Sequence, residues 1–444
     1  MALPANVQVK RKTEKRMSLN WNRREFLQRT VVAGGVTALS GSLRAQTKSP
    51  NEKLNIGIIG VANRGGDNLF GVQGENIVAL CDIDDNYLVE AKMRFPKAET
   101  FNDYRKMLER KDLDAVVVST PDHNHAPATA LALHTGHHVY CEKPLAHTVY
   151  EARKISELSK KMKRVTQMGT QIHATSNYRR VVEMIQAGAI GPVREVHVWS
   201  DKKWVGKEAT RLGSPIPPNI HWDIWLGPAK NQSFNPDVLP ANWRGYWEFG
   251  NGTLGDMACH HMDLPFWALK LRHPTRIAAE GPPVHPLITP DWLIVHYEFP
   301  EREGMPPVKL HWYNGGKRPE LFVQGKLPQW GDGNLFIGDK GMLLADYDRN
   351  ILLPEEDFKD YKAPLPSIPD SIGHHKEWIE ACKSGGATTC NFDYSGALSE
   401  AVLLGCVAYR AGEPLQWDAK SLKVLNHSNA NSLIRTPYRR GWSL

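Results

Sequence analysis

No apolar run in the 444-residue chain approaches the roughly 18 residues that a membrane-crossing helix needs. Cysteine is scarce. The six present (Cys81, Cys141, Cys259, Cys382, Cys390 and Cys406) include no C-x-x-C pair, which argues against a zinc site or redox dithiol. They are widely spread through apolar or helical stretches, so buried free thiols are expected rather than any particular disulfide. With 41% hydrophobic residues, 36 Gly and 30 Pro, collagen-like, disordered and disulfide-scaffold classes are excluded. The length suggests two or three domains with substantial cores. Tryptophan is missing between Trp21 and Trp199, although the chain holds 14.

One number stands out: 55 Lys+Arg against 48 Asp+Glu, a formal charge of +7, which by itself invites a nucleic-acid reading. Its distribution removes that reading. Residues 1–45 carry nine basic and two acidic residues and therefore hold the whole excess, leaving the remainder formally neutral. This stretch has a basic opening, Arg23-Arg24 followed by Phe26-Leu27, and a mildly apolar run from Thr30 to Leu43 before Arg44-Ala45. The order is that of a signal peptide, and the arginine pair resembles a twin-arginine export signal. Asn22 stands where Ser or Thr is usual, and Leu43 where a small residue is usual; Met17 is an alternative start. The expectation is a leader over 1–45, a linker over 46–53, and a periplasmic or otherwise exported protein with no nucleic-acid partner.

Residues 54–60 read as a buried strand entering Gly60-Val61-Ala62-Asn63-Arg64-Gly65. This is a G-x-A-x-x-G turn, in which Gly60 makes the tight bend and Gly65 admits close helix packing. Ala62 replaces the usual second glycine. The next strand, Asn76 to Asp82, ends in an acid 22 residues after Gly60, placed to accept hydrogen bonds from an adenosine ribose. Residues 83–91 contain no Lys or Arg for a 2′-phosphate, so NAD is favoured over NADP. The competing role for Asp82 is a solvated turn or helix cap. Ala115–Ser119 is a β-branched run suited to a parallel strand covered on both faces. It leads into Thr120-Pro121-Asp122-His123-Asn124-His125 and a helix from about Ala126. A further strand, His138–Cys141, ends in Glu142-Lys143-Pro144. Alternating strands and helices describe a doubly wound Rossmann domain over 54–170, with polar clusters at its ligand crevice. His123 and His125, with His260-His261, could be taken for metal ligands, but polar residues belong at a cofactor crevice anyway, and no metal is expected.

Glu142-Lys143-Pro144, together with Gly252-Thr-Leu-Gly-Asp256-Met-Ala-Cys-His260-His261, resembles the paired motifs of the glucose–fructose oxidoreductase/inositol dehydrogenase/MocA family. The resemblance runs from about Leu54 to Gly412. It implies a second α/β domain, here 171–444, with a large open, mostly antiparallel sheet, commonly in homodimers or homotetramers. It also implies catalytic roles for Lys143, Asp256 and His260. The chemistry suits them. Asp256 and His260 lie one helical turn apart, so the carboxylate can orient the imidazole and stabilise its protonated form. Lys143 can hold the substrate hydroxyl or act as base. A core histidine is the competing role for His260, and His261 is its neighbour and rival.

Cofactor contacts are expected from Gly60, Ala62, Asn63, Arg64, Gly65, Asp82, Thr120, Pro121, His123, His125, Glu142 and Lys143. Val193–Trp199 alternates apolar with polar, as does a strand with one solvated face. Ten tryptophans fall between Trp199 and Trp330, either packing the domain or lining a sugar cleft. Trp222, Trp225, Trp243 and Trp247 lie in loop-like sequence and are the better cleft candidates. Arg244 could hold a substrate substituent or a structural carboxylate. Gln171, His173, Tyr178 and His261 complete the expected substrate set, although the arginine common in other branches is absent there. His374-His375 opens a helix and is read as a surface or subunit contact.

The expected function is an exported NAD-dependent oxidoreductase acting on a sugar or glycoside, with a tightly bound cofactor as a further expectation. One alternative is a glycosidase that uses NAD only for transient ring oxidation and elimination. The other is a non-catalytic glycan-binding protein.

Overall fold

The computed structural model describes residues 52–208 and 210–444; the expected leader and most of the linker lie outside them. The first sheet has six strands: β1 (Asn55–Ile59), β2 (Asn76–Cys81), β3 (Glu99–Phe101), β4 (Ala115–Val118), β5 (His138–Cys141) and β6 (Thr166–Met168). All its pairings are parallel, in the order β3-β2-β1-β4-β5-β6. Every residue of β4 and β5 is buried, as helices on both faces require. The order reverses beside β1, which opens a crevice at the strands' carboxyl ends.

The helix after β4 spans Asp122–His134, starting earlier than the expected Ala126. Pro121 fits ahead of a first turn that needs no N–H there, and Asp122 complements the helix dipole. His123 and His125 therefore sit on a helix and not on a loop.

The second sheet contains β7 (Val193–Ser200), β8 (Arg276–Glu280), β9 (Leu293–Phe299), β10 (Val308–Asn314), β11 (Gly333–Gly338), β12 (Gly341–Ala345), β13 (Asn350–Leu353), β14 (Leu415–Asp418) and β15 (Lys423–Val424). Its order is β13-β12-β11-β7-β10-β9-β8-β14-β15. The β7–β10 pair is parallel and the others are antiparallel. Val196, Val198, Leu310 and Trp312 enter the main core, whereas Trp199, Tyr313 and Leu335 form a separate cluster with Phe322 and Trp330 partly covering it. That cover makes the outer face less solvated than simple alternation predicts.

The chain returns to the first domain late. Helix Phe392–Ala411 packs on helix Val149–Met162, and helix His374–Ser384 on helix Arg64–Val72. His374 is buried, with Nε2 3.1 Å from the Met168 carbonyl oxygen, and His375 Nε2 lies 2.9 Å from Asn68 Oδ1. This pair is interdomain packing, which corrects the surface assignment. All six cysteines are free and buried.

Candidate active site

The turn after β1 requires glycine. Gly60 has φ +84°, and a Cβ there would lie 2.6 Å from the Ser119 carbonyl oxygen. A Cβ on Gly65 would lie 2.1 Å from the Gly60 carbonyl oxygen, so the turn and helix Arg64–Val72 meet backbone to backbone. The positive end of the helix dipole at that start favours an anion.

A cleft of about 360 Å³ opens at these strand ends. Gly60, Ala62, Asn63 and Arg64 line it from the turn, Asp82 from the end of β2, Thr120, Pro121 and His125 beyond β4, and Glu142 and Lys143 beyond β5. Asp82 accepts from the Val61 N–H at 2.9 Å and the Asp84 N–H at 3.1 Å. Burial outweighs those bonds and pushes its carboxyl up to about 6. Glu142 accepts from Arg64 Nε at 2.9 Å and Asn68 Nδ2 at 3.0 Å. Both His125 ring nitrogens lie 2.7 Å from carbonyl oxygens, of Pro144 and Thr120, tying together the segments that follow β4 and β5. A glycine turn, a helix start and an acid at the end of β2 fit a bound dinucleotide.

The opposite wall comes from the second domain: Trp204, Ile224, Trp225, Trp243 and Arg244. The Arg244 guanidinium lies 4.2 Å from the Trp243 ring and 5.1 Å from the Trp204 ring. It donates through Nε to Asp256 Oδ1 at 3.0 Å. Lys143 Nζ reaches the same oxygen at 2.6 Å. Burial opposes charge on Asp256, but these two cations outweigh it and hold the carboxyl well below the usual range. Arg244 therefore binds a carboxylate of its own chain, which decides between its two expected roles.

His260 is oriented differently from the sequence reading. Its Nδ1 lies 3.2 Å from Thr170 Oγ1, which itself donates to the Cys259 carbonyl at 3.0 Å. With its hydroxyl proton committed there, Thr170 can only accept from Nδ1–H, and this leaves the Nε2 lone pair available. Burial first, then Lys143, pushes the His260 imidazole well below its ordinary pKa. Asp256 is engaged by Lys143 and Arg244 and does not orient the ring; its charge only partly offsets the lowering.

Asp256, His260 and Gly65 lie behind the cleft lining, and other expected contacts lie off the cleft wall as well. His123 packs against Trp225 and Phe249, with Nε2 2.8 Å from the Trp225 carbonyl; burial lowers it to about 3. His173 is buried 2.9 Å from Asp263 and stacked on Trp267. Tyr178 is buried, donating to the His260 carbonyl at 3.2 Å. His261 stacks on Tyr347 and bonds its hydroxyl at 2.9 Å. Trp222 stacks behind Trp225 and donates to the Gln232 carbonyl, and Trp247 donates to the His285 carbonyl. Gln171, partly exposed in a 3₁₀ turn, is also outside the lining. Apart from Gln171, whose Oε1 is buried without a hydrogen-bond partner, each of these groups finds a bond or ring contact within the protein, which the sequence pattern does not reveal.

Among the wall residues that escaped the sequence reading are Trp204 and Asp122. Trp204 belongs to no motif beyond the tryptophan-rich region. Asp122 is 4% exposed yet lines the cleft, and burial pushes its carboxyl up to about 7, partly offset by Arg244. Its position directly after Thr120-Pro121 was the available signal.

The parallel sheet, glycine turn and cleft at the switch point define a dinucleotide-binding Rossmann protein. Residues 54–170 match the Gfo/Idh/MocA oxidoreductase family's NAD-binding Rossmann fold, and residues 180–305 match its C-terminal alpha/beta domain. Together these matches span more than half of the chain, and the chain belongs to this family. Inositol 2-dehydrogenase of Salmonella typhimurium is 32% identical over 157 residues, covering 32% of this chain and 45% of that protein. Alpha-N-acetylgalactosaminidase of Shewanella oneidensis is 28% identical over 221 residues, covering 43% and 48%. The chain thus spans about half the length of these curated relatives. The WlbA dehydrogenase of Bordetella pertussis, solved with NADH and UDP-GlcNAcA, shares the fold at TM-score 0.59 and 17% identity, over 83% of this chain and 99% of that one.

Proposed function

We propose that the protein oxidises a hydroxyl-bearing carbon of a sugar or glycoside with NAD. The observation that carries this reading is the convergence of Lys143 and Arg244 on buried Asp256 at the dinucleotide cleft. When bound, NAD supplies the acceptor for the hydride leaving the carbinol carbon. Lys143 Nζ holds the substrate oxygen, and His260 Nε2 accepts the hydroxyl proton. Asp256 positions Lys143, while Arg244 keeps Asp256 charged. The acids Asp82, Asp84 and Asp85 disfavour a 2′-phosphate, which supports NAD over NADP.

A second reading is favoured by a specific feature. Segment 219–225 covers the cleft, with an antiparallel bridge between Ile220 and Asp84 immediately beyond Asp82. A covered cleft suits a cofactor that is retained and recycled. In that scheme oxidation of one ring hydroxyl acidifies a neighbouring C–H, a base removes that proton, the glycosidic oxygen departs with a proton, water adds to the resulting unsaturated ketone, and return of the hydride to the carbonyl carbon restores the oxidised cofactor. The similarity to a protein named alpha-N-acetylgalactosaminidase supports this reading.

Export follows, in our proposal, from Arg23-Arg24 and the apolar run behind them, and assembly into a homodimer or homotetramer from family membership. The deciding assay incubates purified protein with sugars and glycosides, with and without added NAD. NADH formed in step with substrate loss supports the dehydrogenase, and aglycone release without net NADH supports the recycled cofactor. Neither activity, with no nucleotide in the denatured supernatant, overturns both in favour of a glycan-binding protein.

A further inference from the structure

We propose that Arg439 latches the cap over the dinucleotide cleft and sets how slowly the cofactor leaves; the proposal rests on the NAD reading above. The cap is the short helix Trp222–Leu226, whose Ile224 and Trp225 line the cleft. Three groups hold it. On one side, the His221 N–H donates to the Ile83 carbonyl at 2.9 Å, and the Asp85 N–H to the Asn219 carbonyl at 3.0 Å. Beneath, the Trp225 carbonyl lies 2.8 Å from His123 Nε2 and accepts from Asn124 Nδ2 at 2.9 Å. His123 thus acts on the cofactor site through the cap.

The third group comes from more than 200 residues away in sequence. Arg439 donates through Nε to the Gly227 carbonyl and through Nη2 to the Asp223 carbonyl, each at 2.6 Å. Its backbone N–H reaches the Pro228 carbonyl at 3.1 Å. The Asp223 carbonyl has only a long 3.4 Å bond from the Gly227 N–H within the helix, the Gly227 carbonyl lies past the helix end, and the planar guanidinium fork joins the two. Nη1 also meets Asp223 Oδ1 at 2.5 Å, but that carboxylate side chain is 72% exposed, so solvent screening leaves the ion pair little weight. The carbonyl bonds do the holding.

Segment 435–444 is itself anchored to the Rossmann domain. Tyr438 donates to buried Glu151 at 2.6 Å, the Arg435 guanidinium sits 4.3 Å from the Tyr150 ring, and the Trp442 ring lies 4.3 Å from the Arg105 guanidinium. It therefore couples the cap to the domain that holds the dinucleotide. To leave, a dinucleotide must displace the cap, and Arg439 raises the cost of that motion.

The test loads the full chain with NADH, chases with excess NAD, and follows release by loss of tryptophan-to-NADH energy transfer. R439A is expected to release NADH at least fivefold faster than wild type, with R439K intermediate. D223N, which loses only the exposed carboxylate, is expected to match wild type. Y438F, which removes one of the three anchors of segment 435–444 without touching the cap, should also release faster, so the idea stays testable if R439A folds poorly. Release from R439A and Y438F at the wild-type rate overturns the latch alone. No NADH signal from wild type overturns the dinucleotide reading and the latch with it.

Discussion

Lys143 Nζ lies 2.6 Å from Asp256 Oδ1 across 113 residues of sequence. This bond joins the end of β5 in the first domain to helix Gly252–His261 in the second, and it places a cation at the cleft with its counter-charge behind it. Breaking a buried ion pair from one side typically costs about 3–5 kcal/mol, because the other charge is left uncompensated. Here Arg244 remains on the same carboxylate oxygen, so loss of Lys143 leaves Asp256 paired.

K143A is therefore expected to stay folded, bind NADH within a few-fold of wild type, and lose turnover by about a hundredfold or more, the scale of a lost donor to a developing oxyanion. Steady-state kinetics and NADH titration on one preparation check this. Wild-type turnover removes Lys143 from the catalytic set.

Thr170 is expected to act through His260. In T170V the Nδ1–H loses its acceptor, and the ring no longer favours the tautomer with a free Nε2. The expected outcome is a fall in kcat of about tenfold with little change in KM, restored by T170S. Imidazole ¹⁵N shifts should report the Nδ1–H tautomer in wild type and a mixture in T170V. An unchanged tautomer in T170V refutes the assignment.

Asp122 predicts a stability trend with pH. Its carboxyl is raised from 3.8 to about 7, mainly by burial. Between about pH 4 and 7 the folded state holds a proton that the unfolded state has lost, so stability falls as pH rises through this window. The shift corresponds to an upper bound on the order of 4 kcal/mol. D122N carries no such proton, so its Tm should gain on wild type by several degrees between pH 4.5 and pH 8. Parallel Tm curves for the two proteins exclude the raised carboxyl.

Local rules explain what could be read without coordinates. A tight turn requires glycine at Gly60, a buried parallel strand requires the β-branched run at Ala115–Ser119, and the position of Asp82 follows from the strand before it. Lys143, Asp256 and His260 came together as a set only through the resemblance of two short motifs to those of the family. Each of these signals is written within one or two elements of secondary structure.

What the sequence by itself determined is therefore the Rossmann domain, its dinucleotide turn and several of the charged groups near the cleft, Asp122 excepted. Tertiary structure alone decided their partners. It gave Asp256 to Lys143 and Arg244 instead of His260, buried His173 on Asp263 and His261 on Tyr347, placed Trp222 behind Trp225, and brought Arg439 to the cap. The physical reason is range: turn chemistry and hydrophobic period act over a few residues, whereas a buried polar group must be satisfied by whatever packing brings within about 3 Å.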